Sequence, residues 1–183
     1  MYFESEKYKE SLNDLHMKIG AIYLTVYRSR GKYYDELNIG DIFEHGVTRT
    51  VTDVDNSLFS ALTYNPQPLH LDVEFAKSTM YGSRIVNSMF TLAFIVGVFV
   101  PDVTLGTTLG NLGFDEVKFP APVRLGDTLR AVSEVIDKRE SKSRPNTGIV
   151  WFEHRGYNQK GELIAIAKRA SLMVKSTGVS GGK

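Results

Sequence analysis

His70 is the residue of this sequence best placed to carry out chemistry. The chain has 4 histidines and no cysteine, and no two histidines have the spacing of metal ligands, so we do not expect a metal site. His70 follows the stiff segment N-P-Q-P-L and precedes Asp72, which can cap a short helix. A histidine held in this way can act as a general acid or base, or its ring can simply bridge two backbone groups.

Two elements are expected to position His70. Asp53 can cap a short helix that carries four apolar side chains on one side, Val54, Leu58, Phe59 and Leu62. The segment between this helix and His70 has two prolines within three residues, which predicts a rigid, extended loop.

Residues 87–100, N-S-M-F-T-L-A-F-I-V-G-V-F-V, are predicted to form a central helix. Thr91 is the only polar side chain after the first two residues, and a helix that is apolar on all sides is expected to be buried on all sides. Its length of roughly 20 Å is too short to cross the roughly 30 Å of a bilayer core. Asn87 or Ser88 can cap its start, and Pro101 is expected to end it.

Four segments rich in β-forming residues follow, at 107–119, 127–139, 147–158 and 162–175, and residues 43–52 have a similar composition. Short connections between consecutive strands favour an antiparallel meander. An antiparallel sheet that curls around one apolar helix is an α+β arrangement, the hot-dog architecture, here in a single copy.

The composition is that of an ordinary globular domain: 183 residues, 42% hydrophobic, 23% charged, with a net charge of +1. This charge gives no general attraction to nucleic acids or membranes, so we expect neither as a partner. The first residues lack a signal-peptide pattern. A cytoplasmic location is the default expectation. We divide the chain into an N-terminal extension at 1–34, a hot-dog domain at 35–176 and a disordered tail at 177–183.

Three motifs resemble the MaoC-like dehydratases, or R-specific enoyl-CoA hydratases, a family of hot-dog proteins. They are Q-P-L-H-L-D-V-E-F-A at 67–76, Y-G-S-R-I-V-N-S-M-F-T-L at 81–92, and N-L-G-F-D-E-V-K-F-P-A-P-V-R-L-G-D-T-L at 111–129. The similarity covers residues 34–175 and keeps the order and spacing of the family's motifs. Within the family the motif sequences are most similar to those of the mesaconyl-CoA hydratase branch, also called β-methylmalyl-CoA dehydratase. Members of that branch often have two hot-dog domains in tandem in one chain.

The resemblance implies a hydratase/dehydratase that adds or removes water at the double bond of a short enoyl-CoA, including branched and dicarboxylic acyl groups. His70 would be the main general acid/base. The family's catalytic Asp stands five positions earlier, where this chain has Asn65, and an amide neither gives nor takes a proton at neutral pH. Asn65 would then orient the water or the thioester, unless Asp72 or Asp55 supplies the carboxylate. A thioesterase and a non-catalytic acyl-CoA binding subunit are the alternatives.

The resemblance also implies substrate-binding residues. Gln67 stands where the family has Asn, backbone near Gly82 or Ser83 would donate to the thioester oxygen, and Ser88 would line the site. Arg139, in a basic cluster, would pair with phosphates of coenzyme A or else form a solvated hairpin tip. No cofactor is implied, since coenzyme A is part of the substrate. A homodimer or a higher homo-oligomer is expected, because hot-dog sheets leave edges that a partner covers.

Overall fold

The structure, a computed structural model, describes the backbone of residues 15–19 and 22–26 and both backbone and side chains from residue 29 to residue 177, with Gly178 closing a final turn. Most of the predicted N-terminal extension and the last residues of the predicted tail lie outside the described residues. The proposed domain boundaries therefore stay predictions.

The described elements run in the following order. The first part contains β1 (Leu15–Ile19), β2 (Ile22–Val26), β3 (Ile42–Glu44), β4 (Arg49–Thr50), α1 (Asp53–Leu62), α2 (Pro68–Leu71), α3 (Val73–Lys77) and α4 (Ser88–Gly97). The second contains the long strands β5 (Thr108–Lys118), β6 (Thr128–Glu140), β7 (Thr147–Tyr157) and β8 (Leu163–Val174). The four long strands begin and end within one residue of the predicted segments, whereas the strand predicted at 43–52 is split into β3 and β4.

The main sheet is antiparallel, with the strand order β3-β6-β7-β8-β5, and β4 also pairs with β6. The predicted meander holds for β6, β7 and β8. It is wrong for β5, which pairs with β8 at the edge of the sheet. The connection from β5 to β6 therefore passes β8 and β7 before the chain re-enters the sheet.

Helix α4 lies against the inner face of this sheet, which confirms the predicted hot-dog architecture. Ile95 and Phe99 are fully buried among side chains of β6, β7 and β8. Gly156 on β7 permits this close approach, because a Cβ at that position would lie 2.7 Å from Cγ2 of Ile95.

Two expectations for α4 were wrong. The regular helix ends at Gly97, and Pro101 does not stop the chain's helical path but lies in a π-helical turn at Val100–Thr104. Proline is compatible with the first turn of a helix, where its missing N–H has no partner to lose. The helix is also not buried on all sides in the single chain, since the sheet covers one face only and Met89 is 44% exposed.

Helix α1 differs from its prediction in both its cap and its orientation. Thr52 is the N-cap, and Asp53 is the first helical residue. Three of the four predicted apolar side chains, Val54, Leu58 and Leu62, are exposed. The buried face instead consists of Asn56 and Ser60, so this helix presents polar groups to the interior.

A chain of hydrogen bonds also crosses the core beneath the end of α4. Arg169 Nε lies 2.9 Å from Nε2 of His154, whose Nδ1 lies 2.7 Å from Oγ of Ser133. Ser133 Oγ lies 2.8 Å from Nε2 of His45, and His45 Nδ1 lies 2.7 Å from Oδ2 of Asp102. Every member except Asp102 is buried.

Arg169 fixes the direction of these bonds, because a guanidinium only donates. Nε2 of His154 must accept, so the proton of the neutral ring is on Nδ1 and is donated to Ser133. The Ser133 hydroxyl then donates to His45, and His45 donates from Nδ1 to the Asp102 carboxylate. Burial lowers the pKa of Arg169 to about 10, which leaves it charged at neutral pH.

Candidate active site

His70 lies in α2, a single helical turn that the sequence predicted as an extended loop. Pro68 is the first residue of the turn, where a proline fits, and the N–H of His70 donates to the carbonyl of Gln67 at 3.0 Å. The side chain is half-buried. The rigidity expected from the two prolines is therefore present, but in a helical turn.

The His70 ring is oriented by the backbone just before α4. Its Nδ1 lies 2.9 Å from the carbonyl oxygen of Ile85. A carbonyl only accepts hydrogen bonds, so Nδ1 carries the proton and, in the neutral ring, Nε2 carries a lone pair. The ring thus keeps one nitrogen for anchoring and one for proton transfer.

The buried polar side chains of α1 form hydrogen bonds with the backbone of His70 and with Asn87, which follows the anchoring residue Ile85 by two positions. Asn56 donates from Nδ2 to the carbonyl of His70 and accepts from the N–H of Asn87, both at 2.9 Å. Asn87 in turn donates to Oγ of Ser60 at 3.3 Å. Asn56 and Ser60 were not among the residues predicted from the sequence, although two polar residues four apart on one face of α1 were a usable signal.

Asn65 and Gln67 form the turn that leads into α2. Oδ1 of Asn65 accepts from the N–H of Gln67 at 3.1 Å, and the N–H of Asn65 donates to the carbonyl of Ser60 at 2.9 Å. The side-chain carbonyl of Asn65 therefore shapes the turn, while its NH₂ group can donate elsewhere. Asn65, Gln67 and His70 are brought together within one tight segment.

The start of α4 lies next to the anchor of the His70 ring. Asn87 caps the helix by accepting from the N–H of Met89 at 3.0 Å, and Ser88 is the first helical residue, three positions after Ile85. The first amides of a helix have no acceptor within the helix and carry a partial positive charge. The Ser88 N–H is one of these first amides.

Gly82 and Ser83 lie in the loop before Ile85. The N–H of Gly82 donates to the carbonyl of Thr79 at 3.1 Å, and Oγ of Ser83 accepts from Arg124 at 2.5 Å. Both residues line a cavity of about 330 Å³ beside this loop. The amide of Gly82 is therefore already engaged, and the Ser83 backbone as donor to the thioester oxygen stays a prediction.

Arg139 is not brought near this site by the fold of the single chain. It lies near the end of β6, where this strand pairs with the start of β7. Its guanidinium lies 5.7 Å from the centre of the Trp151 ring. The start of α4 packs near the opposite end of β6, around Leu129. Arg139 as a phosphate ligand therefore stays a prediction.

The two carboxylates considered as substitutes for the family's Asp have other contacts. Asp55 closes the capping box of α1 with Thr52 and pairs with Arg49, and these hydrogen bonds lower the pKa of Asp55 to about 2. Asp72 caps α3 by accepting from the N–H of Phe75 at 3.0 Å, as predicted. A carboxylate with so low a pKa as that of Asp55 is a weak base.

Within residues 29–177 we find no cluster of three or more His, Cys, Asp or Glu side chains that could hold a metal ion. None of the helices in the part of the chain that the structure describes is long and apolar enough to cross a membrane.

Comparison with known proteins gives several sequence relatives. The chain is 34% identical over 134 residues to a mesaconyl-CoA hydratase of Cereibacter sphaeroides, which covers 73% of this chain and 38% of the relative. It is 31% identical, with the same coverage, to a β-methylmalyl-CoA dehydratase of Chloroflexus aurantiacus. The matched region thus spans well under half the length of these two relatives.

Among solved structures, a MaoC-like dehydratase from Rhodospirillum rubrum superimposes with a TM-score of 0.70 at 27% identity, covering 79% of this chain and 98% of that one. The family model described as MaoC like domain matches residues 36–154, which include α1, the His70 turn and the start of α4. The chain therefore belongs to the family of MaoC-like domain proteins.

Proposed function

We propose that this protein is a hydro-lyase, a cytoplasmic hydratase/dehydratase that acts on the double bond of a short enoyl-CoA, including branched and dicarboxylic acyl groups. The observation that carries the proposal is the His70 ring, which is anchored through Nδ1 next to the start of α4 and whose Nε2 has no hydrogen-bond partner among residues 29–177. The relatives named as mesaconyl-CoA hydratase and β-methylmalyl-CoA dehydratase support the same chemistry.

In the hydration direction, Nε2 of His70 takes a proton from water while the water oxygen bonds to Cβ of the enoyl group. The electron pair of the double bond moves toward the thioester oxygen, and the N–H of Ser88 at the positive end of α4 stabilises the charge there. The imidazolium then returns its proton to Cα. Asn65 holds the water through its side-chain NH₂ group, and Gln67 lies beside it. The reaction needs no cofactor, because coenzyme A is part of the substrate.

We propose a homodimer as the working form. In the single chain Met89 on α4 is 44% exposed, and the edge strand β5 exposes Leu112 and Phe114 at 51% and 41%. A second copy on this side would cover the open edge and close the acyl-CoA site. Light scattering at micromolar concentration should give twice the 20.5 kDa chain mass, and a monomer would contradict this part of the proposal.

A panel of acyl-CoA thioesters, including crotonyl-CoA and mesaconyl-CoA, tests the activity when products are read by mass. Gain of one water supports the hydratase. Release of free coenzyme A would indicate a thioesterase instead. If no substrate in the panel reacts while the protein remains folded, the hydro-lyase proposal is wrong.

Asn65 favours a second candidate, a non-catalytic acyl-CoA binding subunit. An amide replaces the family's proton-transferring carboxylate, and its carbonyl is already used in the turn. Calorimetry that detects CoA-ester binding, together with an absence of product in the mass assay, would support this candidate over the hydratase.

A further inference from the structure

The cavity beside the loop that leads to α4 is lined by three cationic side chains. Lys77, Arg84 and Arg124 surround it together with Gly82 and Ser83, and the remaining lining residues are apolar. Its volume is about 330 Å³. We call it the cationic pocket. None of the residues that line it is acidic.

Neighbouring acids neutralise only part of this charge. Arg84 pairs with Asp53 at 2.9 Å, and Lys77 pairs with Glu74 at 2.7 Å in an exposed contact of the kind that contributes little. Within residues 29–177, no carboxylate oxygen lies within 4.0 Å of the Arg124 guanidinium. Of the three cationic side chains, Arg124 is therefore the one whose charged group has no acidic partner in this part of the chain, although the Asp127 carboxylate accepts from the Arg124 main-chain N–H at 2.7 Å.

Arg124 is held in place and is linked to the His70 ring. Its NH1 group donates to the carbonyl of Tyr81 at 3.1 Å and to Oγ of Ser83 at 2.5 Å. Its backbone forms a β-bridge with Ile85, the residue whose carbonyl anchors His70. Arg124 in the pocket and the His70 ring are thus both in contact with the backbone of Ile85.

We propose that the cationic pocket binds a phosphate of the group that carries the acyl thioester, with Arg124 as the principal contact and Lys77 and Arg84 in support. The proposal rests on the proposed function. A guanidinium with free N–H groups suits phosphate oxygens, which it can bind in pairs. The phosphate belongs either to coenzyme A or to the phosphopantetheine arm of a carrier protein, which share this chemistry.

Steady-state kinetics with a truncated substrate tests this assignment. Crotonyl-pantetheine has the thioester of crotonyl-CoA but lacks every phosphate. We expect Arg124→Gln to raise KM for crotonyl-CoA about tenfold or more with little change in kcat, as for the loss of one charge-assisted hydrogen bond. KM for crotonyl-pantetheine should not change. An equal loss with both substrates would overturn the proposal, because Arg124 would then act only by holding the loop through its side-chain hydrogen bonds to Tyr81 and Ser83.

Two further arginine variants make the test specific. Arg130→Gln removes the same charge from an exposed residue on β6 that stacks on Tyr157, and it should leave KM for crotonyl-CoA unchanged. Arg139→Gln tests the competing phosphate contact predicted from sequence. A rise in KM at Arg139 without one at Arg124 contradicts the proposal.

Calorimetry separates this proposal from the proposed function, because it needs no turnover. Coenzyme A should bind the unmodified protein more tightly than pantetheine does, and Arg124→Gln should remove that difference. If coenzyme A binds in this way while no acyl thioester reacts, the pocket assignment stands and the hydro-lyase proposal fails. Equal binding of coenzyme A and pantetheine overturns the pocket assignment. Crotonyl-CoA and crotonyl-loaded carrier protein, compared by kcat/KM, then distinguish the two sources of the phosphate.

Discussion

His70 donates from Nδ1 to the main-chain carbonyl of Ile85 at 2.9 Å, so its Nε2 is the nitrogen left for proton transfer. We predict that His70→Ala lowers kcat for hydration by about 100-fold or more, as expected for loss of a general acid/base. His70→Asn is the matched variant, because an asparagine NH₂ can still donate to a carbonyl but cannot accept a proton. It should lose activity to a similar extent while keeping its melting temperature near that of the unmodified protein. An active His70→Asn enzyme would show that another group transfers the proton.

Asn65 supports the turn through the same oxygen that an aspartate would offer. Because the N–H of Gln67 donates to Oδ1 of Asn65, Asn65→Asp should keep the turn and add a base beside His70. We predict that kcat rises about tenfold or more, less than the roughly 100-fold lower end for a fully effective general base, because His70 already transfers protons. The pH profile should gain a limb at acidic pH from the new carboxylate. An unchanged rate in a folded Asn65→Asp variant would mean that this side chain does not reach the reacting water.

The sheet and the central helix could be predicted from local sequence patterns, and the polar supports of the site could not. Runs of β-forming residues between turn signals located β5 to β8 within one residue, but no local pattern encodes that β5 pairs with β8. Burial of Asn56 depends on backbone groups of His70 and Asn87, and burial of Ser60 depends on the side chain of Asn87, and both partners are far along the chain. The burial of Arg169 could not be predicted either, because arginine is expected at the surface unless its hydrogen bonds are known.

Asn56 should act as a positioning residue for both His70 and α4. Asn56→Ala leaves the carbonyl of His70 and the N–H of Asn87 without their present partner, and each unsatisfied buried group costs about 1–3 kcal/mol. We predict a matching loss in the free energy of unfolding, measured in urea, together with a lower kcat. Ser60→Ala is the control, because it removes one longer contact of 3.3 Å and should cost less. If Ser60→Ala proves the more destabilising of the two, this account of the polar face is wrong.

Gly156 allows α4 to lie against β7. A Cβ there would lie 2.7 Å from Ile95 Cγ2, so Gly156→Ala should lower the free energy of unfolding by about 1–3 kcal/mol through overpacking. Gly97→Ala offers a contrast within α4, since nothing lies within 4 Å of a Cβ at that position. That variant should be neutral or stabilise the protein by up to about 1 kcal/mol, because alanine favours helix over glycine. Urea unfolding of both variants checks the predicted difference in sign.

His154 should make the protein less stable in mild acid. Burial, followed by the nearby charge of Arg169, lowers the pKa of His154 well below its usual 6.5. The folded state therefore keeps the ring neutral where the unfolded chain binds a proton, so the free energy of unfolding must fall as the pH drops below about 6.5, by up to about 1.4 kcal/mol per pH unit.

His154→Gln isolates this effect from those of the other titrating groups. A glutamine carbonyl can accept from Arg169 and its NH₂ group can donate to Ser133, which reproduces the direction of the present hydrogen bonds without a titrating ring. Between about pH 5 and 6.5 the carboxyl groups of an unfolded chain remain largely ionised, so histidines dominate the slope there. We expect the slope of unfolding free energy against pH, from urea titrations in this window, to be smaller in the variant. Identical slopes would mean that His154 binds its proton equally in the folded and unfolded states, and that the ring is not locked by Arg169.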